Sequence, residues 1–182
     1  MKLPNIITAL RICFIPLVVL MFYLPVENNL YYTAGIFALA AWTDWLDGFL
    51  ARKLNQTTAF GAFLDPVADK LMVAVSLGLL IESHASLLMT IPALIIIGRE
   101  IVISALREWM AELGKRASIA VSMIGKAKTT LQMLAIFILL TQAPDTQIAW
   151  AGMAVLYVSV ILTIWSMVQY LKAAWPDLKS GM

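Results

Sequence analysis

Residues 62–106 read AFLDPVADKLMVAVSLGLLIESHASLLMTIPALIIIGREIVISAL, two apolar runs joined by the polar turn Glu82-Ser83-His84-Ala85-Ser86. Each run is close to the ~20 residues that a helix, rising ~1.5 Å per residue, needs to cross a hydrocarbon core of about 30 Å. Neither run alternates with a period of two, as a membrane β-strand would. The segment is therefore read as two antiparallel transmembrane helices, 62–82 and 86–106. Outward from it lie four more runs of the same kind, 8–26 and 30–51 before it and 127–143 and 147–171 after it. The turns Pro25-Val26-Glu27-Asn28-Asn29 and Gln142-Ala143-Pro144-Asp145-Thr146 join them in pairs. The fold class is all-α, a polytopic membrane protein with six transmembrane helices. No stretch is polar enough for a soluble second unit, so residues 1–182 are read as one membrane domain.

Composition agrees. Of 182 residues, 62% are hydrophobic and 13% charged, against about 45–50% and ~25% in a soluble globular domain. Disorder needs the opposite balance. One cysteine excludes a disulfide framework and a thiolate metal cluster. A net charge of +2 is too small to indicate a nucleic-acid partner.

The cations set an orientation. The turns at 25–29, 82–86 and 142–146 contain no lysine or arginine, only Glu27, Glu82 and Asp145 as acids. All 13 lysines and arginines fall towards the other side, so both termini are expected in the cytoplasm of a cell with the chain in its inner membrane. Lys2 and Arg11 before an apolar run could imitate a signal peptide, but no small-residue cleavage site comes after it. Pro4-Asn5 and the early Arg11 lead instead to the expectation of a short N-terminal juxtamembrane helix before the first span.

Several spans cannot be built without including charge. Only 11 uncharged residues separate Lys70 from Glu82, so the third helix must contain Asp69, Lys70 and Asp65. Counting from the outer ends at ~1.5 Å per residue puts Asp44, Asp69 and Arg99 all about 20 Å deep. Ionisable groups at such depth cost about 2.5–3.5 kcal/mol each even on the lenient insertion scale, and usually face a bundle interior or water. Glu108, Glu112 and Asp177 are read as helix-end acids that reach the headgroups. The short acids of helices two and three are not. Asp44 and Asp47 are three apart and Asp65 and Asp69 four apart, so each pair shares a helix face. An all-oxygen cluster favours a hard divalent ion, Mg²⁺ or Mn²⁺, and Mg²⁺ keeps positions open for substrate phosphates. The acids alone thus indicate a phosphate-handling metal site that opens to the cytoplasm.

Residues 44–69 are Asp44-x-x-Asp47-Gly48-x-x-Ala51-Arg52, eight residues, Gly61, three residues, Asp65, three residues, Asp69. At every fixed position this resembles the signature of the CDP-alcohol phosphatidyltransferases. The resemblance implies a six-span fold and transfer of a phosphatidyl group from CDP-diacylglycerol to an alcohol, with release of CMP. It also implies that Asp44, Asp47 and Asp65 hold metal, while Asp69 is the general base and helps hold a second ion. Asp47, Gly48, Ala51, Arg52 and Gly61 are then the CDP-diacylglycerol contacts. The small residues let a nucleotide approach the backbone, although close helix packing uses the same residues. Arg52 would lie near the diphosphate.

A second anion site would select the acceptor. Arg99, Arg107, Lys126 and Lys128 form a candidate pocket for an acceptor phosphate. Ordinary positive-inside charge is the plainer explanation for three of them, but Arg99 is too deep for it. Pro4-Asn5-x-x-Thr8-x-x-Arg11, Arg99-Glu100 through Arg107, and Gly125-Lys126-x-Lys128-Thr129 are similar to the branch of the family that uses glycerol 3-phosphate. Other alcohols, such as inositol phosphate or serine, are the alternative acceptors, and a divalent-cation transporter is the rival of another class. Gly125-Lys126 fails as a P-loop, because Ala120 and Ala127 stand where glycine and serine or threonine are required. His84 is read as a solvated turn residue. The oligomeric state stays open, a homodimer included.

Overall fold

The computed structural model describes residues 3–54, 59–112 and 123–180, with side chains at 3–9, 45, 47–54, 59, 60, 62, 123–126, 177 and 180 outside the described part. The described residues form six helices and no strand. These are α1 (Leu3–Tyr23), α2 (Asn29–Leu54), α3 (Ala59–His84), α4 (Leu87–Glu112), α5 (Met123–Leu140) and α6 (Gln147–Ser180). The six expected runs each lie largely within one helix. By length and composition α4 and the 147–176 part of α6 are each long and apolar enough to cross a membrane.

All three turns expected from the sequence are present, and each contains a non-glycine residue with positive φ: Asn28 (62°), Ala85 (44°) and Asp145 (67°). Asparagine and aspartate tolerate this conformation better than other side chains. At two of the turns a side chain caps the new helix. The Asn29 side chain accepts from the Leu30 N–H at 2.9 Å and donates to the Phe22 carbonyl at 2.8 Å, so it starts α2 and holds it to the end of α1. The Thr146 hydroxyl accepts from the Ala149 N–H at 3.1 Å and starts α6.

Three expectations are corrected. Among the described residues there is no separate juxtamembrane helix, because α1 is continuous from Leu3 to Tyr23. Pro4 falls in its first turn, where a missing N–H breaks no helical hydrogen bond, and the helix runs on through the internal Pro16 to Tyr23. At the opposite end of the hairpins, α4 and α6 extend past the apolar runs to Glu112 and Ser180. A helix does not stop where hydrophobicity stops when the next residues, here Arg107, Glu108 and Glu112, are good helix formers. His84 closes α3 and is partly buried, its Nδ1 3.1 Å from the Leu80 carbonyl, so it is not a solvated turn residue.

α1 lies against α2 and α3, α5 against α6 and α2, and α4 against α3 and α6. Every helix contributes to one buried cluster that includes Val18, Phe37, Leu77, Ile96, Ile136 and Leu156. The outward faces are also apolar, with Leu87 75% and Ile161 66% exposed. A soluble monomer rarely exposes contiguous apolar surface on this scale. Such a surface accords with the two helices that are long and apolar enough to cross a membrane.

α5 packs tightly against α6 at Gly152, where an added Cβ would lie 2.9 Å from Ile138 Cγ2 and 3.1 Å from Leu139 Cγ. Both are branch atoms close to the backbone and have little freedom to move. Gly152→Val should destabilise the protein by about 1–3 kcal/mol through overpacking. Gly35 and Gly78, where nothing lies within 4 Å of the added atom, supply the controls. Melting curves in detergent should show a drop for Gly152→Val well beyond that for Gly35→Ala or Gly78→Ala; equal drops would contradict the packing argument.

Candidate active site

The polar contact that joins the first three helices begins on α1. Arg11 is 1% exposed, and its Nη1 lies 2.8 Å from Asp44 Oδ1 on α2 and 2.9 Å from Asp69 Oδ1 on α3. A single nitrogen therefore draws together the two acids that helix rise puts at one level. Both carboxylates are about half-exposed, because they face a cavity of about 310 Å³. Arg11, Asp44 and Asp69 line it together with Ala40, Ala41, Met72, Val73 and Met133, and Thr129 and Thr130 complete the α5 side. A polar floor under apolar walls suits a molecule with a charged head and an apolar remainder.

Asp65 stands one turn before Asp69 on α3 and is partly buried, and Gly61 is buried a further turn back. Asp47, Gly48, Ala51 and Arg52 occupy the last turns of α2, and their side chains lie outside the described residues, as does that of Lys126 in the first turn of α5. Among the described residues no three histidine, cysteine or acidic side chains come close enough together to hold a metal ion. The described residues do show a matched pair of donors. Two carboxylate oxygens from two helices converge on one cationic centre, and that all-oxygen chemistry is the kind Mg²⁺ and Mn²⁺ prefer.

The other expected cations gather elsewhere, between α4, α5 and α6. Arg99 is 8% and Lys128 3% exposed. Glu100 holds both, its Oε1 accepting from Arg99 Nη1 at 2.7 Å and from Lys128 Nζ at 2.9 Å. Arg99 Nη2 donates to the Ser166 hydroxyl at 3.1 Å. Arg107, which is exposed, donates from Nη2 to the Tyr170 hydroxyl at 3.0 Å. Glu100 and Arg107 lie seven apart on α4 but have different partners. Lys70 also turns away from its neighbour Asp69, donating to Ser104 on α4, as expected for adjacent positions on a helix.

The structure brings the expected Asp44 and Asp69 together and sets Arg99, Arg107 and Lys128 in a second group, and it adds Arg11, Glu100, Ser166 and Tyr170, which are not among the candidate site residues, as their partners. Arg11 carries a signal, a cation early in an apolar run, but in the sequence it reads as part of a juxtamembrane helix and a branch motif and not as a partner of the aspartates. Tyr170 carries none, since an aromatic residue near a helix end is ordinary at an interface.

Comparison with known proteins decides where this arrangement belongs. The model of the CDP-alcohol phosphatidyltransferase family matches residues 1–165. The chain belongs to the CDP-alcohol phosphatidyltransferase family. It is 56% identical over 177 residues, 97% of each chain, to the CDP-diacylglycerol--glycerol-3-phosphate 3-phosphatidyltransferase of Escherichia coli (strain K12). The proteins of the same name from Shigella sonnei and Shigella flexneri serotype 5b are 56% and 55% identical over the same extent. Membership makes it a membrane-bound transferase of phospholipid synthesis.

The role of Arg11 can be tested without turnover. Two oxygens bound to one nitrogen lie within roughly 6 Å, where unit charges repel by about 3 kcal/mol at an effective dielectric of 20, and by less when half-exposed. Arg11→Met should lower the melting temperature in the presence of a chelator, and added Mg²⁺ should recover part of that loss. A deficit that Mg²⁺ leaves untouched would argue that these carboxylates do not share a cation.

Proposed function

We propose that this protein transfers the phosphatidyl group of CDP-diacylglycerol to glycerol 3-phosphate, giving phosphatidylglycerophosphate and CMP. The observation that carries the reading is the pair Asp44–Asp69, brought together beside an apolar-walled cavity in a family member more than half identical to proteins named for this reaction. Residues 1–182 act as one membrane domain of six spans, with both termini and the site on the cytoplasmic side of the inner membrane. The complete absence of lysine and arginine from the three outer turns supports that orientation.

Asp44, Asp47, Asp65 and Asp69 are the residues that would hold Mg²⁺ or Mn²⁺, as one or two ions. Such an ion, when bound, would supply positive charge to offset that of the diphosphate and of the leaving CMP. Asp47, Gly48, Ala51, Arg52 and Gly61 receive the nucleotide end of the donor. Asp69 takes the proton from the primary hydroxyl of the acceptor. That oxygen forms its bond to the phosphorus that bears the diacylglycerol, the bond from that phosphorus to the CMP oxygen breaks, and CMP leaves. The acceptor phosphate is received by Arg99, Arg107, Lys126 and Lys128. The acyl chains pass sideways between helices into the inner leaflet.

The test is CMP release by the purified protein in detergent with CDP-diacylglycerol and Mg²⁺, with glycerol 3-phosphate, glycerol, inositol or serine added separately. Release should depend on glycerol 3-phosphate. Asp69→Asn should lower it by about 10²–10⁴-fold, the range for loss of a positioned base, with the melting curve retained. Asp44→Asn should raise the Mg²⁺ concentration required. Release with another alcohol would keep the family reaction and replace the acceptor, while release with none from folded protein would favour transport of a cation.

The acceptor pocket has its own check. Arg107→Ala should raise KM for glycerol 3-phosphate several-fold more than KM for CDP-diacylglycerol. A matched rise in the two constants would remove Arg107 from the pocket.

A further inference from the structure

Two guanidinium groups lie beside one aromatic ring. Arg107 Cζ is 5.3 Å and Arg99 Cζ 5.9 Å from the centroid of Tyr170, on α6. Both distances fall within the ~6 Å over which the ring quadrupole attracts a cation. The two arginines are eight positions apart on α4, ~12 Å along the helix axis, and their like charges oppose any approach. Nothing in α4 itself offers both heads a common contact; a ring from another helix does. The two are held to different degrees. Arg99 is buried and fixed by Glu100 and Ser166. Arg107 is exposed, and among the described residues the partner of its head is Tyr170, which meets it twice, through the ring and through the hydroxyl.

An exposed arginine with no such support samples many rotamers and loses that freedom when it binds an anion. A phosphate, with oxygens on several sides, is best met by planar forks already set in direction. On the reading that this cluster receives the acceptor phosphate, we infer that Tyr170 is the positioning residue that presents Arg99 and Arg107 as a pair. It thereby sets the preference for a phosphorylated over a neutral alcohol. The ring attracts both heads and the hydroxyl fixes the direction of the Arg107 fork. Tyr170 does not touch the reacting atoms, so its effect belongs to acceptor binding and not to the chemical step.

The experiment uses the full chain in detergent and measures kcat and both KM values for the wild type, Tyr170→Phe and Tyr170→Leu. Loss of the hydroxyl alone should raise KM for glycerol 3-phosphate about 3-fold, and loss of the ring about 10-fold or more, with KM for CDP-diacylglycerol and kcat within about 2-fold. The graded series is one that a packing role would not give. Unchanged KM for glycerol 3-phosphate in both variants overturns the inference, and so does a parallel rise in both KM values. Should Tyr170→Leu melt below the assay temperature, the near-isosteric Tyr170→Phe carries the test by its selective effect on the acceptor. The wild type separates the two levels of argument. If it releases CMP without need of glycerol 3-phosphate, the proposed reaction falls and this inference with it; if it needs that acceptor and the variants do not differ, this inference alone falls.

Discussion

A guanidinium stays charged even inside an apolar bundle, so it must meet acids there, and Arg11 meets two. Its Nη1 joins α1 to α2 through Asp44 and to α3 through Asp69, so one nitrogen fixes the relative height of three helices. The packing depends on it, since α1 lies against both partners and fills the remaining contact with apolar side chains such as Val18. The cavity depends on it too. The carboxylates that turn towards Arg11 remain half-exposed on their other side, which gives the cavity a charged floor under the apolar walls of Met72, Val73 and Met133. In water the same ion pair would contribute little; at low dielectric, separating it would leave charges that the surroundings cannot solvate.

Part of this is readable in the amino-acid order because helix rise and apolar length are local properties. The six runs, the three turns and the common level of Asp44 and Asp69 all come from counting residues. Their meeting at Arg11 does not. Which face of α1 turns inward depends on packing against two other helices, and an apolar run without a polar side has no period from which to read it. Lys128 is hidden for a related reason. At the start of a helix it reads as a surface cation, yet it is buried because Glu100 reaches it from α4, a contact between residues 28 positions apart. The continuity of α1 is obscured by Pro4, which reads as a boundary and is in fact tolerated inside the first turn. Tyr170 is the least legible, because its importance lies wholly in the two arginines that come to it.

The two polar groups of the bundle are balanced differently. Around Arg11 one cation faces two acids; around Glu100 one acid faces two cations, Arg99 and Lys128, with Arg107 beyond them at Tyr170. The first group has an excess of negative charge and suits a bound cation. The second has an excess of positive charge and suits an anion. A reaction that joins a metal-held diphosphate to a phosphorylated alcohol needs both kinds of site, and needs them distinct, because either excess would otherwise cancel the other.

α5 keeps them distinct and close. Thr129 and Thr130 line the aspartate cavity, while the preceding residue, Lys128, bonds to Glu100 in the other group. Successive residues on a helix point about 100° apart, so this short stretch of α5 turns one side to each group. The chain thus turns consecutive residues of one helix to the two groups, without a loop or a second domain between them. That also explains why the glycine-lysine pair at 125–126 resembles a nucleotide loop in spelling only. Its stretch is helical in the structure, and the direction in which each residue of the turn points decides its use. On the proposed reading the donor diphosphate and the acceptor phosphate are met by these two neighbouring groups, and Asp69, which shares its cavity with Thr129 and Thr130, lies where the acceptor hydroxyl must reach the donor. A transporter would gain nothing from this division, since a cation passing through would meet the positive group after leaving the negative one; a transferase needs it for every turnover.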